Sequence, residues 1–98
     1  MNISQFNPIH PGEFIKSTYL EPFDLGINQL ASNLDVSPST FASLVNRQIK
    51  LHPDMALRLS RVVGRSPESW LLMQSNFDLH NEKKVIDLSE CQPIDFKL

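Results

Sequence analysis

The chain has 98 residues, 41% of them hydrophobic and 20% charged, with a net charge of −2 and a single cysteine, Cys91. This suits one globular domain; its apolar runs are too short for a membrane span, and one thiol cannot build a disulfide scaffold or a zinc finger. The N-terminal residues carry no basic stretch leading into an apolar one, so no secretion signal is expected, and the reading is a soluble protein of a reducing cytoplasm. The low net charge hides a segregation. Residues 36–65 carry Arg47, Lys50, Arg58, Arg61 and Arg65 against Asp54 alone, a net +4, while the segments before and after each sum to −3. A basic centre between acidic flanks predicts two faces with different partners.

Proline marks the helix starts, because the first helical position needs no N–H. His10-Pro11-Gly12-Glu13 predicts the opening of helix one, with Ile9 and Phe14 spaced as a hydrophobic staple and Pro22 as its end. Ile27, Leu30, Ala31 and Leu34 follow the i, i+3, i+4, i+7 pattern of a two-turn helix, preceded by the weak cap Gly26. Ser37-Pro38 opens the third helix, whose apolar side is Phe41, Leu44 and Val45. His52-Pro53 opens the fourth, stopped by Gly64, and Ser66-Pro67-Glu68 opens the fifth, with Ser66 as N-cap. Val85-Ile86-Asp87-Leu88 is the best strand candidate, and a short one. The expected architecture is all-α: a five-helix domain over residues 9–84, an N-terminal segment 1–8 and a C-terminal tail 85–98.

Residues 30–47 carry the functional signal. Small Ala31 lets two short helices approach, Val36 plugs the angle after the turn, and Phe41, Leu44 and Val45 anchor the second helix. This is the helix-turn-helix pattern, whose second helix enters the major groove of DNA. Its remaining outward residues, Ser39, Thr40, Ser43, Asn46 and Arg47, can all hydrogen-bond, and none is acidic.

His10-Pro11-Gly12-Glu13, Leu20-Glu21-Pro22, the 30–47 pattern, Ala56-Leu57-Arg58-Leu59 and Ser66-Pro67-Glu68-Ser69-Trp70-Leu71-Leu72-Met73-Gln74 occur in that order. In this the chain resembles the HigA antitoxins, also called virulence-associated protein I, within the lambda-repressor-like (XRE) group, over about residues 9–80. The resemblance implies a lambda-repressor-like fold and a homodimer on double-stranded operator DNA. It also implies neutralisation of a HigB-like toxin, a ribosome-dependent mRNA endonuclease, and repression of the shared operon.

Carried over by the resemblance, the base-reading positions fall on Ser39 and Ser43, with Thr40 beside them. Asn46 takes the place of a phosphate-binding asparagine, Gln29 is a second phosphate candidate, and Lys50 lies in a loop where a basic residue is common. With Ser37 and Arg47 these complete the expected DNA-contacting set. Arg47 replaces a usual glycine, so Asn46 is expected to take the left-handed conformation in its stead. Trp70, Leu72, Met73, Asn76 and Phe77 on helix five are the expected dimer contacts. Lys16, Ser17, Glu21 and Asp24 form the favoured toxin-facing surface, with the acidic, apolar tail (Asp87, Glu90 and Asp95 around Ile86, Leu88, Ile94 and Phe96) as runner-up.

Other residues carry plainer expectations. His10, His52 and His80 are scattered, so no metal or cofactor is expected, and no nucleophile–base constellation supports an enzyme. Arg58 is expected in a structural ion pair, with Glu13 or Glu68. Two alternatives remain: an XRE-type repressor without a toxin partner, and a protein-binding module that has lost DNA binding.

Overall fold

A computed structural model describes residues 7–97. Its helices are α1 (Pro11–Ile15), running on into a π-helical turn (Lys16–Leu20), α2 (Ile27–Leu34), α3 (Pro38–Val45), α4 (Pro53–Val62) and α5 (Pro67–Glu82). Counting α1 and its π turn as one, the described residues form the five-helix, all-α architecture expected. Proline occupies the first turn of α1, α3, α4 and α5, as the sequence predicts. Ser37 and Ser66 cap α3 and α5: each hydroxyl accepts the N–H three residues on, Thr40 at 3.1 Å and Ser69 at 3.0 Å. Such a cap contributes about 1 kcal/mol.

The first helix departs from expectation in its second half. Its apolar spacing suggests one continuous α-helix, but the Glu21 N–H donates to the Lys16 carbonyl at 3.0 Å, five residues back. The wider turn brings Leu20 into the core and sets the Tyr19 ring 6.3 Å from that of Trp70. The strand candidate at 85–88 is not one. Val85, Ile86 and Leu88 are exposed, and without a partner strand their backbone has no ladder to join.

The core gathers Ile15, Leu30, Ala31, Leu34, Phe41, Leu44, Leu51, Met55, Ala56, Leu59 and Trp70. Trp70 is wholly buried. It lies edge-on to Phe14, with centroids 5.7 Å apart, and its Nε1–H donates to the Gly64 carbonyl at 2.9 Å. Trp70, expected at a dimer contact, is thus enclosed within its own protomer and offers no exposed surface of its own.

Arg58 is structural as expected, but neither Glu13 nor Glu68 is its recorded partner. Its Nε donates to Asp54 at 3.1 Å, and its Nη1 to the carbonyls of Leu34 and Asp35 at 2.8 and 3.0 Å. Those carbonyls are the orphan acceptors at the end of α2. Asp35 there adopts the left-handed conformation, φ 57°, and the Val36 N–H returns to the Ala31 carbonyl. Arg58 therefore fixes the turn between α2 and α3 from α4.

α1 and α3 meet at Gly12. A Cβ built on this residue would overlap the Leu44 carbonyl, backbone that cannot swing aside. Gly12→Ala is expected to destabilise the fold by about 1–3 kcal/mol through overpacking, read as a lowered denaturant midpoint with an unchanged slope.

Candidate nucleic-acid interface

The turn from α2 to α3 presents one rim of α3 outward. Ser37, Ser39 and Thr40 are exposed at its start, Ser43 is half-buried one turn on, and Asn46, Arg47, Gln48 and Lys50 are exposed beyond its end. Of the expected DNA-contacting set, seven residues therefore lie along one helix and the loop after it. Gln29 sits in the first turn of α2, where its Nε2 donates to Asn33 Oδ1 at 2.8 Å. The start of α3 is already organised: the Ser37 hydroxyl donates to Thr40 Oγ1 at 2.8 Å while accepting the Thr40 N–H.

The end of α3 differs from the sequence expectation. Asn46 keeps φ at −85°, and it is Arg47 that takes the left-handed conformation, φ 64°. The reason is positional. The Gln48 N–H reaches the Ser43 carbonyl at 2.8 Å and the Arg47 N–H reaches Leu44 at 3.0 Å, the paired bonds of a Schellman ending. That ending demands a positive φ at the second residue past the helix, whatever stands there.

Both cations at this end hold carboxylates. Arg47 Nη1 lies 3.2 Å from Glu13 Oε1 in α1, and Lys50 Nζ lies 3.3 Å from Asp78 Oδ2 in α5. The loop between them is tied further to α5, because the Leu51 N–H donates to buried Gln74 Oε1 at 2.8 Å, and Gln74 Nε2 donates to Asp78 Oδ1 at 3.0 Å. The spacing of α5 could have flagged Gln74 as lying on its inward side; nothing in the sequence pairs it with Leu51.

His10 closes the cluster. Its Nδ1 accepts the Gly12 N–H at 2.9 Å, capping α1, and its ring lies edge-on to Phe77 with centroids 5.1 Å apart. Burial pushes its pKa below the ordinary 6.5, against a hydrogen bond to the Ile49 backbone and the nearby charge of Asp78.

On α5, the residues expected at a dimer contact divide. Phe77 is half-buried against His10, and Met73 and Asn76 line a groove with Pro8, Ile9 and Phe14 of their own chain. Leu72 is exposed, together with Leu79 seven residues on, which sequence reasoning missed. Their seven-residue spacing puts both on one side of the helix. On the N-terminal side, Lys16, Ser17, Glu21 and Asp24 are all exposed, around a cleft of about 350 Å³ that Lys16, Glu21 and Asp24 help to line. Phe23, between the two acids, is 74% exposed. Among the described residues, no group of three or more potential metal ligands stands together, and no helix is long and apolar enough to cross a membrane.

No family model matches the chain. Individual relatives do. It is 45% identical over 71 residues to virulence-associated protein I of Dichelobacter nodosus, covering 72% of this chain and 66% of that one. A helix-turn-helix transcriptional regulator of Haemophilus influenzae is 34% identical over 88% of this chain and 84% of its own. Antitoxin HigA-1 of Vibrio cholerae is 32% identical, covering 81% of this chain and 74% of its own. The chain belongs to the HigA family of helix-turn-helix antitoxins. Among solved structures, Pseudomonas aeruginosa antitoxin HigA with the higBA promoter superposes with a TM-score of 0.77 at 34% identity, covering 90% of this chain and 99% of that one.

In this HigA-family chain the capping histidine carries a pH dependence. With the folded pKa lowered, the unfolded chain binds more protons than the folded one as pH falls below about 6.5, so stability declines there. Protonation also removes the Nδ1 acceptor for Gly12. The melting midpoint is expected to drop on acidification through this range. His10→Asn, which keeps a capping oxygen but cannot titrate, flattens that part of the profile.

Proposed function

We propose that this chain is an antitoxin and autorepressor, which binds operator DNA as a homodimer and neutralises an mRNA-cleaving, HigB-like toxin. The observation that carries the reading is the rim of α3: hydrogen-bonding side chains without an acid, ending in two cations. In this reading α3 lies in the major groove, with Ser39, Thr40 and Ser43 towards base edges. Gln29, Ser37, Asn46, Arg47 and Lys50 meet phosphates, which set register without reading sequence. A single recognition helix per chain reads few bases, so two chains bind half-sites about 34 Å apart. Leu72 and Leu79, the exposed apolar pair on α5, supply the contact between them. The role needs no catalytic group, metal or cofactor, and its place is the bacterial cytoplasm, where operator and messenger lie.

A repressor without a toxin is the second reading, favoured by relatives known only as helix-turn-helix transcriptional regulators. It shares the DNA chemistry and differs in the neighbouring gene. A toxin-sized reading frame beside this one whose product co-purifies with the chain decides for the first.

For the toxin, the N-terminal face fits best. Exposed Glu21 and Asp24 offer negative charge to a protein that handles RNA, and Phe23 between them offers an apolar anchor. The cleft there is shared with Ala42, Val45 and Asn46 at the end of α3, but Ser39, Thr40 and Ser43 do not line it, so the base-reading residues stay open in the toxin-bound form.

Two measurements test these roles. Lys50→Ala is expected to weaken binding to all duplexes about equally and to flatten the salt dependence, whereas Ser43→Ala shifts preference at particular base pairs by about 1–3 kcal/mol. Phe23→Ala combined with Glu21→Lys is expected to abolish protection of cells from the co-expressed toxin while operator binding persists. Truncation after Lys84 keeps both activities; loss of protection alone in the truncated chain moves the neutralising surface to the tail.

A further inference from the structure

Both cations at the end of α3 are occupied before any DNA arrives, and their partners come from outside the helix-turn-helix. Glu13 stands in the first turn of α1, which Gly12 fixes against the Leu44 carbonyl of α3. Asp78 stands on α5, where buried Gln74 holds one carboxylate oxygen while the other faces Lys50 at 3.3 Å. Each carboxylate is thus positioned by packed structure. Beside Glu13, a polar cleft of about 230 Å³ is lined by Lys16, Val45, Asn46 and Arg47. A backbone phosphate reaching Arg47 enters this cleft and meets Lys16 and Asn46, but the anion already bound to Arg47 is Glu13.

Carboxylate and phosphate oxygens compete for the same N–H donors, with closely similar geometry. Resting on the DNA-binding reading above, we propose that Glu13 and Asp78 are affinity-limiting residues: internal stand-ins for phosphate that Arg47 and Lys50 must give up before they hold DNA. The effect falls on sequence-independent binding, which depends almost wholly on phosphate contacts. A random duplex has to displace two carboxylates and gains little in return. An operator adds the base contacts of Ser39 and Ser43, and so tolerates the exchange. The two acids therefore hold down affinity for bulk DNA, so that stable binding is left to sites where base contacts add to the phosphate ones.

The test uses the full chain and two duplexes of about 30 base pairs, some three helical turns, one from the promoter of its own gene and one scrambled. Affinity is measured from about 50 to 200 mM salt. Glu13→Gln and Asp78→Asn are each expected to bind the scrambled duplex about threefold tighter or more at low salt, with a salt slope steeper by about 0.9. The promoter duplex gains by a similar factor, because the same two phosphate contacts are made there. Glu90→Gln, with the same change of net charge on the exposed tail, leaves affinity near wild type. In an Arg47→Ala background the gain from Glu13→Gln disappears. Thermal melts confirm that each variant is folded.

Wild-type affinity and slope in both variants, while the wild-type chain binds its promoter, overturn the proposal. So does a gain that survives in the Arg47→Ala background, since the effect is then general charge rather than the pair. If neither duplex binds wild type or variants at low salt, the DNA-binding reading itself has failed and the proposal falls with it.

Discussion

The arrangement depends on how closely α1 lies against the end of α3. Gly12 has no side chain, and its backbone occupies the space a Cβ would need against the Leu44 carbonyl. While α5 holds the Lys50 side of the basic edge, the Arg47 side follows from that contact. It sets Glu13 beside Arg47 and places the His10 ring against Phe77. The tetrapeptide His10-Pro11-Gly12-Glu13 thus performs four separate tasks: a cap, a pre-set φ, a close approach and a counter-charge. A larger residue at Gly12 would disturb the other three by displacing the helix that carries them.

α3 is held at both ends by residues in an uncommon backbone state. Asp35 before it and Arg47 after it have φ of 57° and 64°, a region that side chains with a Cβ enter at an energetic disadvantage. Each is offset by bonds from elsewhere. Arg58 donates to two carbonyls at the first turn, and the Schellman pair closes the second. A helix fixed in this way presents its hydroxyls at defined positions, which reading base edges requires, because a misplaced donor loses its hydrogen bond outright. The apolar core beneath it, with Phe41 and Leu44 wholly buried, removes rotation about the helix axis as a further freedom.

Much of this was legible in the sequence, and the parts that were not have a common cause. Prolines and capping serines act within a few residues, so the starts of α1, α3, α4 and α5 could be read directly, and apolar spacing alone gave the bounds of α2. The outward rim of α3 followed from periodicity once the helix was placed. The π turn at Lys16–Leu20 could not, since the same apolar residues fit a regular helix nearly as well. Arg58 was rightly taken as structural but given the wrong partners: Asp54, four residues back on the same helix, was legible by its spacing, whereas the carbonyls of Leu34 and Asp35 leave no mark on the sequence. The end of α3 turned on which position needs a positive φ, and residue preference pointed to Asn46 instead. Trp70 was grouped with the dimer contacts of its helix, although large aromatics on a short domain fill the core first. Leu79 lay one heptad beyond Leu72 and needed only that count.

Residues 85–97 run beyond the last helix with Val85, Ile94 and Phe96 more than 70% exposed. From Asp87 on, their recorded hydrogen bonds and ion pair, such as Ser89 to Asp87 and Lys97 to Asp95, are local ones within the segment. A strand of polypeptide held so lightly opens at almost no free-energy cost, while α3 and α5 open only with the core. Among the described residues it is therefore a segment that a protease can reach at little cost. A partner seated on this segment would remove a site of easy cleavage without making the folded domain any more stable.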